Sequence, residues 1–175
     1  MNWKGWYLPE AAHPYEVLSH DFEIDFAAPA GPNPPVDPDS VKNFTDDQSV
    51  KFLRDDVVKD KFAKAKKLTE VDPKDYVAIF YVGGHGPVID LASDPNNVKL
   101  ASEFYRQNKI VSAVCHGPAC VVPVLCGIVH DLSRSYSALV GVTGEDGESI
   151  FKGKEATGFS NEEEQAAGKV QMSSP

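Results

Sequence analysis

Apolar and polar positions follow one clear pattern in the middle of the chain. Tyr76–Val82 reads YVAIFYV, a continuous β-branched and aromatic run that is typical of a strand covered on both faces. Gly83–Gly86 (GGHG) ends it, and positions 94–108 then combine a capping aspartate, a first-turn proline and helically spaced apolar residues. Ile110–Val114 (IVSAV) has the composition of a second buried strand. Strand, helix and strand with short connections predict a right-handed βαβ unit, so the fold class is α/β.

Weaker patterns flank this unit. Pro14–Leu18 has the form of a short helix opened by proline, and Glu23–Ala27 alternates polar and apolar residues like a strand. The proline-rich segment 29–38 predicts a surface loop, and residues 41–68 predict one or two amphipathic helices with solvated charges.

Two further signals lie near the end of the chain. Asp146-Gly147 is a hairpin turn signal between apolar flanks. Ser160-Asn161-Glu162-Glu163 has the form of a capping box, which predicts a helix beginning near Asn161.

Composition and charge narrow the class of protein. The 175 residues are 42% hydrophobic and 25% charged, which is the composition of a globular domain. The net charge of −9 disfavours a nucleic-acid partner. Ala119–Val129 is the longest nearly apolar stretch and is far shorter than the ~20 residues that cross a bilayer, so we expect no membrane partner. Three cysteines fit a reducing compartment, and we expect a cytoplasmic protein, with the nucleus as the alternative.

The ends of the two predicted strands carry the candidate chemistry. Ligands of open parallel sheets bind at the carboxyl ends of strands. One strand delivers Cys115 into a turn with His116 and Gly117, which is the cysteine analogue of a nucleophile elbow. The glycines at 83–86 would present amide N–H groups to a developing oxyanion. The alternative is that Cys115 is a small buried hydrophobic residue and GGHG only a turn.

Several motifs together resemble the ThiJ/PfpI superfamily, whose architecture is like that of class I glutamine amidotransferases. These motifs are Gly5–Pro14 (GWYLPEAAHP), Val36–Ser40 (VDPDS), Gly83–Gly86 (GGHG), Ala113–Ala119 (AVCHGPA) and Lys152–Ser160 (KGKEATGFS). The branch they resemble is the glutathione-independent glyoxalases, also described as heat-shock chaperones of fungi and bacteria. The resemblance implies a flavodoxin-like three-layer sandwich with a mostly parallel sheet.

The same resemblance implies a lyase that needs no cofactor or metal and converts methylglyoxal and water to D-lactate. It makes Cys115 the nucleophile and His116 the general base. Glu10 takes the position of a glutamate beside the thiol, with a solvated surface acid as the alternative. Glu164 would orient His116, with Glu162 and Glu163 as rivals and ordinary helix-dipole charge as the alternative.

The remaining expectations concern the surroundings of this site. Gly84, His85 and Gly117 would form the oxyanion hole or line the substrate. Cys120 and Cys126 are interpreted as buried hydrophobic residues, since their spacing is not that of a zinc site. The expected partners are a small 2-oxoaldehyde substrate and a second copy of the chain in a homodimer.

The resemblance also predicts the domain organisation. We expect one ThiJ/PfpI-like domain over residues 1–175, incomplete at both termini and carrying an insertion at 120–137. The alternative functions are a stress-responsive chaperone or redox-sensing protein without catalysis, and an inactive truncated relative. A peptidase or amidotransferase ranks below these.

Overall fold

The structure, a computed structural model, describes residues 5–115, 142–150, 152 and 153. Its helices are α1 (Leu8–Leu18), α2 (Pro38–Asn43), α3 (Asp47–Arg54), α4 (Asp56–Ala63), α5 (His85–Ile89) and α6 (Pro95–Arg106). Its strands are β1 (Ala27–Ala28), β2 (Lys66–Lys67), β3 (Ala78–Tyr81) and β4 (Ile110–Ala113), and 3₁₀ turns occupy Leu68–Glu70 and Pro73–Asp75.

The predicted strand–helix–strand unit is confirmed. β3 and β4 pair in parallel, with Ala78 opposite Ile110. α6 lies between them in the chain, and the Asp94 side chain caps it by accepting a hydrogen bond from the Asn96 amide at 2.8 Å. The fold is α/β with parallel strands, as the sequence predicts.

The two faces of this sheet differ in burial, contrary to the expectation of strands covered on both sides. One face packs on α6 and its neighbours and carries Ile79, Tyr81, Val111 and Ala113. The other face is exposed and carries Ala78, Phe80, Ile110 and Ser112. Each strand therefore contributes side chains to both faces of the sheet, and α6 covers only one face.

Two helices, α3 and α4, lie within the segment 41–68 where one or two were expected, and a third, α2, begins before it at Pro38. An aspartate precedes each helix: the Asp37, Asp46 and Asp55 side chains accept hydrogen bonds from backbone amides in the first turns of α2, α3 and α4. These caps satisfy amides that have no partner inside a helix, so each one starts a new helix.

The N-terminal helix begins earlier than the sequence suggests. α1 starts at Leu8, and Pro14, expected to open the helix, lies inside it. The Leu8 amide donates to the hydroxyl of buried Ser40 at 3.1 Å, so the cap comes from another helix. The strand expected at Glu23–Ala27 is also shorter and later, since only Ala27–Ala28 pairs, in parallel with Lys66–Lys67.

An aromatic cluster joins α1, α3 and α4 to the first sheet. Phe62 stacks on both Trp6 and Phe26, with ring centroids 4.9 and 4.1 Å apart, and Phe52 meets the cluster edge-on. The helical half therefore has its own core, around buried Leu8, Ala11, Ala12, Phe52 and Val58.

The predicted turn at Asp146-Gly147 is confirmed. Thr143 and Ser149 form an antiparallel bridge, and Gly147 has a φ of 76°, a conformation that glycine adopts without strain. Arg106 of α6 holds this turn, because its guanidinium donates to the Thr143 hydroxyl at 2.8 Å and to the Gly144 carbonyl at 3.0 Å.

A cavity of about 430 Å³ lies between β1 and β3. The β1–β2 and β3–β4 pairs are separate sheets, and apolar side chains from both line the space between them. Across residues 5–115 and the 142–153 region, no helix is long and apolar enough to cross a bilayer. The expected insertion at 120–137 and the expected helix near Asn161 lie outside the described residues.

Candidate active site

The segment before α1 is held between two loops. The Trp6 amide donates to the Pro35 carbonyl at 3.0 Å, and the Trp6 carbonyl accepts from the Asp37 amide at 2.9 Å. On the other side, the Tyr7 amide donates to the Gly83 carbonyl at 3.1 Å. These bonds place the start of α1 beside the carboxyl end of β3.

Glu10 reaches the glycine-rich loop from the first turn of α1. Its carboxyl accepts hydrogen bonds from the Gly83 amide and from the thiol of Cys115. The contact is close, since a Cβ added at Gly83 would lie 2.3 Å from Glu10 Oε2 and 2.6 Å from the Cβ of Cys115. The structure therefore brings together two residues that the sequence predicts for the site, and Gly83 lies between them.

Burial governs the electrostatics of Glu10. Loss of solvent raises the pKa of the Glu10 carboxyl above its ordinary value, while the hydrogen bonds from Cys115 and Gly83 work in the opposite direction. The net shift is upward, so Glu10 keeps its proton to a higher pH than an exposed glutamate. A carboxyl with a raised pKa suits proton transfer.

Cys115 has the backbone conformation expected of a nucleophile elbow. It follows β4 with a φ of 54°, in the left-handed region that residues other than glycine rarely adopt. Its side chain is exposed, so the alternative of a buried hydrophobic cysteine does not hold. Strained residues of this kind cluster at active sites, and the strained turn here presents the sulfur to solvent.

Gly84 and His85 lie in the same loop, close to the start of α1. Gly84 has a φ of 101°, and a Cβ there would come within 2.7 Å of the Gly5 carbonyl oxygen. His85 is buried at the first position of α5. The glycine therefore allows the loop to pass directly against Gly5 and Tyr7.

Gly83 separates Glu10 from Cys115. The sequence predicts Gly83 as one of the glycines of the 83–86 loop, but not its place between these two side chains. Tyr7, also near Cys115, was not predicted as a site residue. The pKa of Tyr7 is raised by burial and by the nearby charges of Glu10, Asp37 and Cys115. Its position in the GWYLPE motif was the available signal.

The other expected site residues lie outside the described residues: His116, Gly117, Glu162, Glu163 and Glu164. Within the described part of the chain, no group of histidine, cysteine, aspartate and glutamate side chains could hold a metal ion.

A parallel α/β unit with a strained cysteine after one strand and a half-buried glutamate beside it defines the class of protein. The chain belongs to the DJ-1/PfpI family, which matches residues 5–126. This confirms the resemblance that the sequence motifs indicate.

Two similar proteins come from fungi. The chain is 32% identical to "Glyoxalase 3" of Candida albicans over 162 residues, covering 90% of this chain and 61% of that protein. It is 29% identical over 160 residues to the "Glutathione-independent glyoxalase HSP31" of Saccharomyces cerevisiae, covering 90% of this chain and 60% of that protein. The chain thus spans about three-fifths of the length of these relatives.

Solved structures agree on the fold. The Francisella tularensis Rapid Encystment Protein 24 KDa superposes with a TM-score of 0.75 at 33% identity, covering 94% of this chain and 65% of that one. Glyoxalase III from Candida albicans gives a TM-score of 0.73 at 27% identity, covering 94% of this chain and 63% of that one.

Proposed function

We propose that this protein is a glutathione-independent glyoxalase that converts methylglyoxal and water to D-lactate. The observation that carries the proposal is the contact between the Cys115 side chain and the half-buried Glu10 carboxyl, which meet at Gly83. The names of the fungal relatives support the same substrate class. A small 2-oxoaldehyde suits a site built from one exposed sulfur and one proton-exchanging carboxyl.

The reaction begins with addition of the Cys115 sulfur to the aldehyde carbon, which gives a hemithioacetal. A base removes the proton from that carbon to form an enediol, and a proton added at the neighbouring carbon gives a lactoyl thioester. Water then hydrolyses the thioester, which releases lactate and restores the thiol. The net change is the addition of one water to methylglyoxal, with no external oxidant or reductant.

Glu10 suits the role of proton carrier in these steps. Its raised pKa lets it hold a proton to a higher pH than an exposed glutamate and pass it to or from an oxygen of the bound intermediate. Its contact with the sulfur also places it where the thiol proton must leave before addition. Glu10 would therefore act in both the addition and the enediol step.

The remaining roles follow from the family resemblance. His116 is the general base at the aldehyde carbon, and Glu164 orients it, with Glu162 and Glu163 as the other acids near that position. Gly84, His85 and Gly117 contact the substrate or its oxyanion. The chain acts as a homodimer, which light scattering of the purified protein tests.

The test is D-lactate formation from methylglyoxal in the absence of glutathione, measured for the wild type, Cys115→Ala and Glu10→Gln. We expect Cys115→Ala to abolish turnover and Glu10→Gln to lower kcat by about 10²–10⁴-fold, the range for loss of a general acid–base group. Glu16→Gln is the matched control, because Glu16 lies on the same helix in an exposed ion pair with Lys51.

Near-wild-type activity in the control and its loss in both site variants support the proposal. Turnover that survives Cys115→Ala contradicts the covalent mechanism. Wild-type protein that makes no D-lactate contradicts the proposed function.

A further inference from the structure

The geometry points to Gly83 as the positioning residue that sets the contact between Glu10 and Cys115. The inference deepens the proposed function and rests on it for its effect on turnover. Gly83 acts on the reaction through the two side chains beside it.

Gly83 has no side chain, and this leaves the space in which Glu10 and Cys115 meet. A Cβ at Gly83 would lie 2.3 Å from Glu10 Oε2, 2.6 Å from Cys115 Cβ and 2.7 Å from the Val114 carbonyl oxygen. Each distance is well below van der Waals contact. One methyl group at this position therefore occupies the place where the carboxyl and the cysteine meet, and it must push them apart.

Both backbone groups of Gly83, its amide and its carbonyl, help to hold Glu10 in place. The Gly83 amide donates a hydrogen bond to the Glu10 carboxyl. The Gly83 carbonyl accepts from the amide of Tyr7, the residue at the N-cap of α1, at 3.1 Å. One residue thus holds the carboxyl directly and also holds the start of the helix that carries it.

The neighbouring glycines have different requirements. Gly84 needs its φ of 101°, a conformation that an alanine adopts only with strain. The three atoms nearest to a Cβ at Gly86 belong to the Gly5 backbone, the closest at 3.1 Å. Gly83→Ala therefore disturbs the Glu10–Cys115 contact. Gly86→Ala adds a methyl group to the same loop, but against Gly5 and not between Glu10 and Cys115.

The experiment measures the alkylation rate of Cys115 by iodoacetamide as a function of pH, in a Cys120→Ser, Cys126→Ser background. Two interacting groups titrate as a coupled pair, so the parent profile should show two steps. Gly83→Ala should show a single step, as Glu10→Gln does, and the double variant should match either one. Gly86→Ala should keep both steps.

In the lactate assay, Gly83→Ala should lower kcat about as far as Glu10→Gln, with KM changed less than about threefold.

The outcomes separate the two claims. A folded Gly83→Ala variant that keeps the parental two-step profile overturns the inference. The inference is also overturned if the Gly83→Ala, Glu10→Gln double variant changes the profile by the sum of the two single effects. If the wild type makes no D-lactate but Gly83→Ala still removes one step, Gly83 positions Glu10 and the proposed function fails.

A measurement on the parental protein covers the case in which Gly83→Ala does not fold. The ¹⁵N–¹H resonance of the Gly83 amide should shift with pH as Glu10 ionises, and this shift should disappear in Glu10→Gln. A Gly83 resonance that does not respond to the ionisation of Glu10 overturns the inference.

Discussion

The thiol of Cys115 donates a hydrogen bond to the carboxyl group of Glu10. The two residues come from opposite ends of the large described segment, one from the first turn of α1 and the other from the turn after β4. Backbone hydrogen bonds of Trp6 and Tyr7 to two different loops hold α1 in place for this contact. The fold thus brings a carboxyl with a raised pKa next to the sulfur.

The burial of Glu10 predicts a pH-dependent cost in stability. Its folded-state pKa is raised above the ordinary value of 4.5, so the stabilising contribution is present below that value and is lost as pH rises through the folded pKa. Glu10→Gln cannot ionise. We expect its thermal midpoint to rise relative to the wild type between pH 4 and pH 8, while turnover falls.

The control for this prediction is Glu16→Gln, which removes a carboxylate from the exposed face of α1. Its midpoint should not rise relative to the wild type over the same pH range. The difference in thermal midpoint between Glu10→Gln and the wild type should grow from pH 4 to pH 8. A difference that falls over this range would contradict a destabilising Glu10 carboxylate.

The sequence predicts the βαβ unit and the cysteine turn because their signals are local. A β-branched run, an Asp-Pro helix start and a Gly-rich strand end each depend on neighbouring residues. The contact between Glu10 and Cys115 was accessible only through the family resemblance, because nothing local in GWYLPE indicates which strand end it meets.

The incorrect predictions have physical causes outside their own segments. α1 begins at Leu8, where the Ser40 hydroxyl of α2 caps it, and Pro14 lies inside the helix. The exposed face of the β3–β4 pair was likewise not predicted from the sequence of the two strands. An apolar run shows that a strand has two apolar faces, but not which elements cover them.

The cap of α3 predicts a loss of stability in acid. The Asp46 carboxylate accepts hydrogen bonds from the amide and hydroxyl of Ser49 and contacts His13 at 3.0 Å. These bonds hold the pKa of Asp46 below its ordinary value of 3.8, so its contribution is present above that value and is lost as pH falls through the folded pKa.

Asp46→Ala should therefore lower the thermal midpoint at pH 7, and the gap to the wild type should narrow as pH falls below 3.8. Asp47→Ala removes an exposed carboxylate from the same helix start and serves as the control. An Asp46→Ala gap that stays constant from pH 7 to pH 2 would show that the carboxylate is not the origin of the effect.

A buried hydrogen bond joins the sheet to α6. The Tyr81 hydroxyl donates to Asn97 Oδ1 at 2.8 Å, and the Asn97 amide donates to the Leu91 carbonyl at 2.9 Å. Tyr81→Phe should lower the free energy of unfolding by about 1 kcal/mol, measured by urea denaturation. Tyr15→Phe, whose ring packs on Phe26 and Phe52, should cost less. Equal losses in the two variants would argue against the hydrogen bond.

The central claim is that Cys115 and Glu10 convert methylglyoxal to lactate without glutathione. The most direct measurement is stereospecific D-lactate production by the purified protein, with Cys115→Ala and Glu16→Gln assayed beside it. The account predicts D-lactate from the wild type and from Glu16→Gln, and none above background from Cys115→Ala. D-lactate formed at the wild-type rate by Cys115→Ala would contradict it.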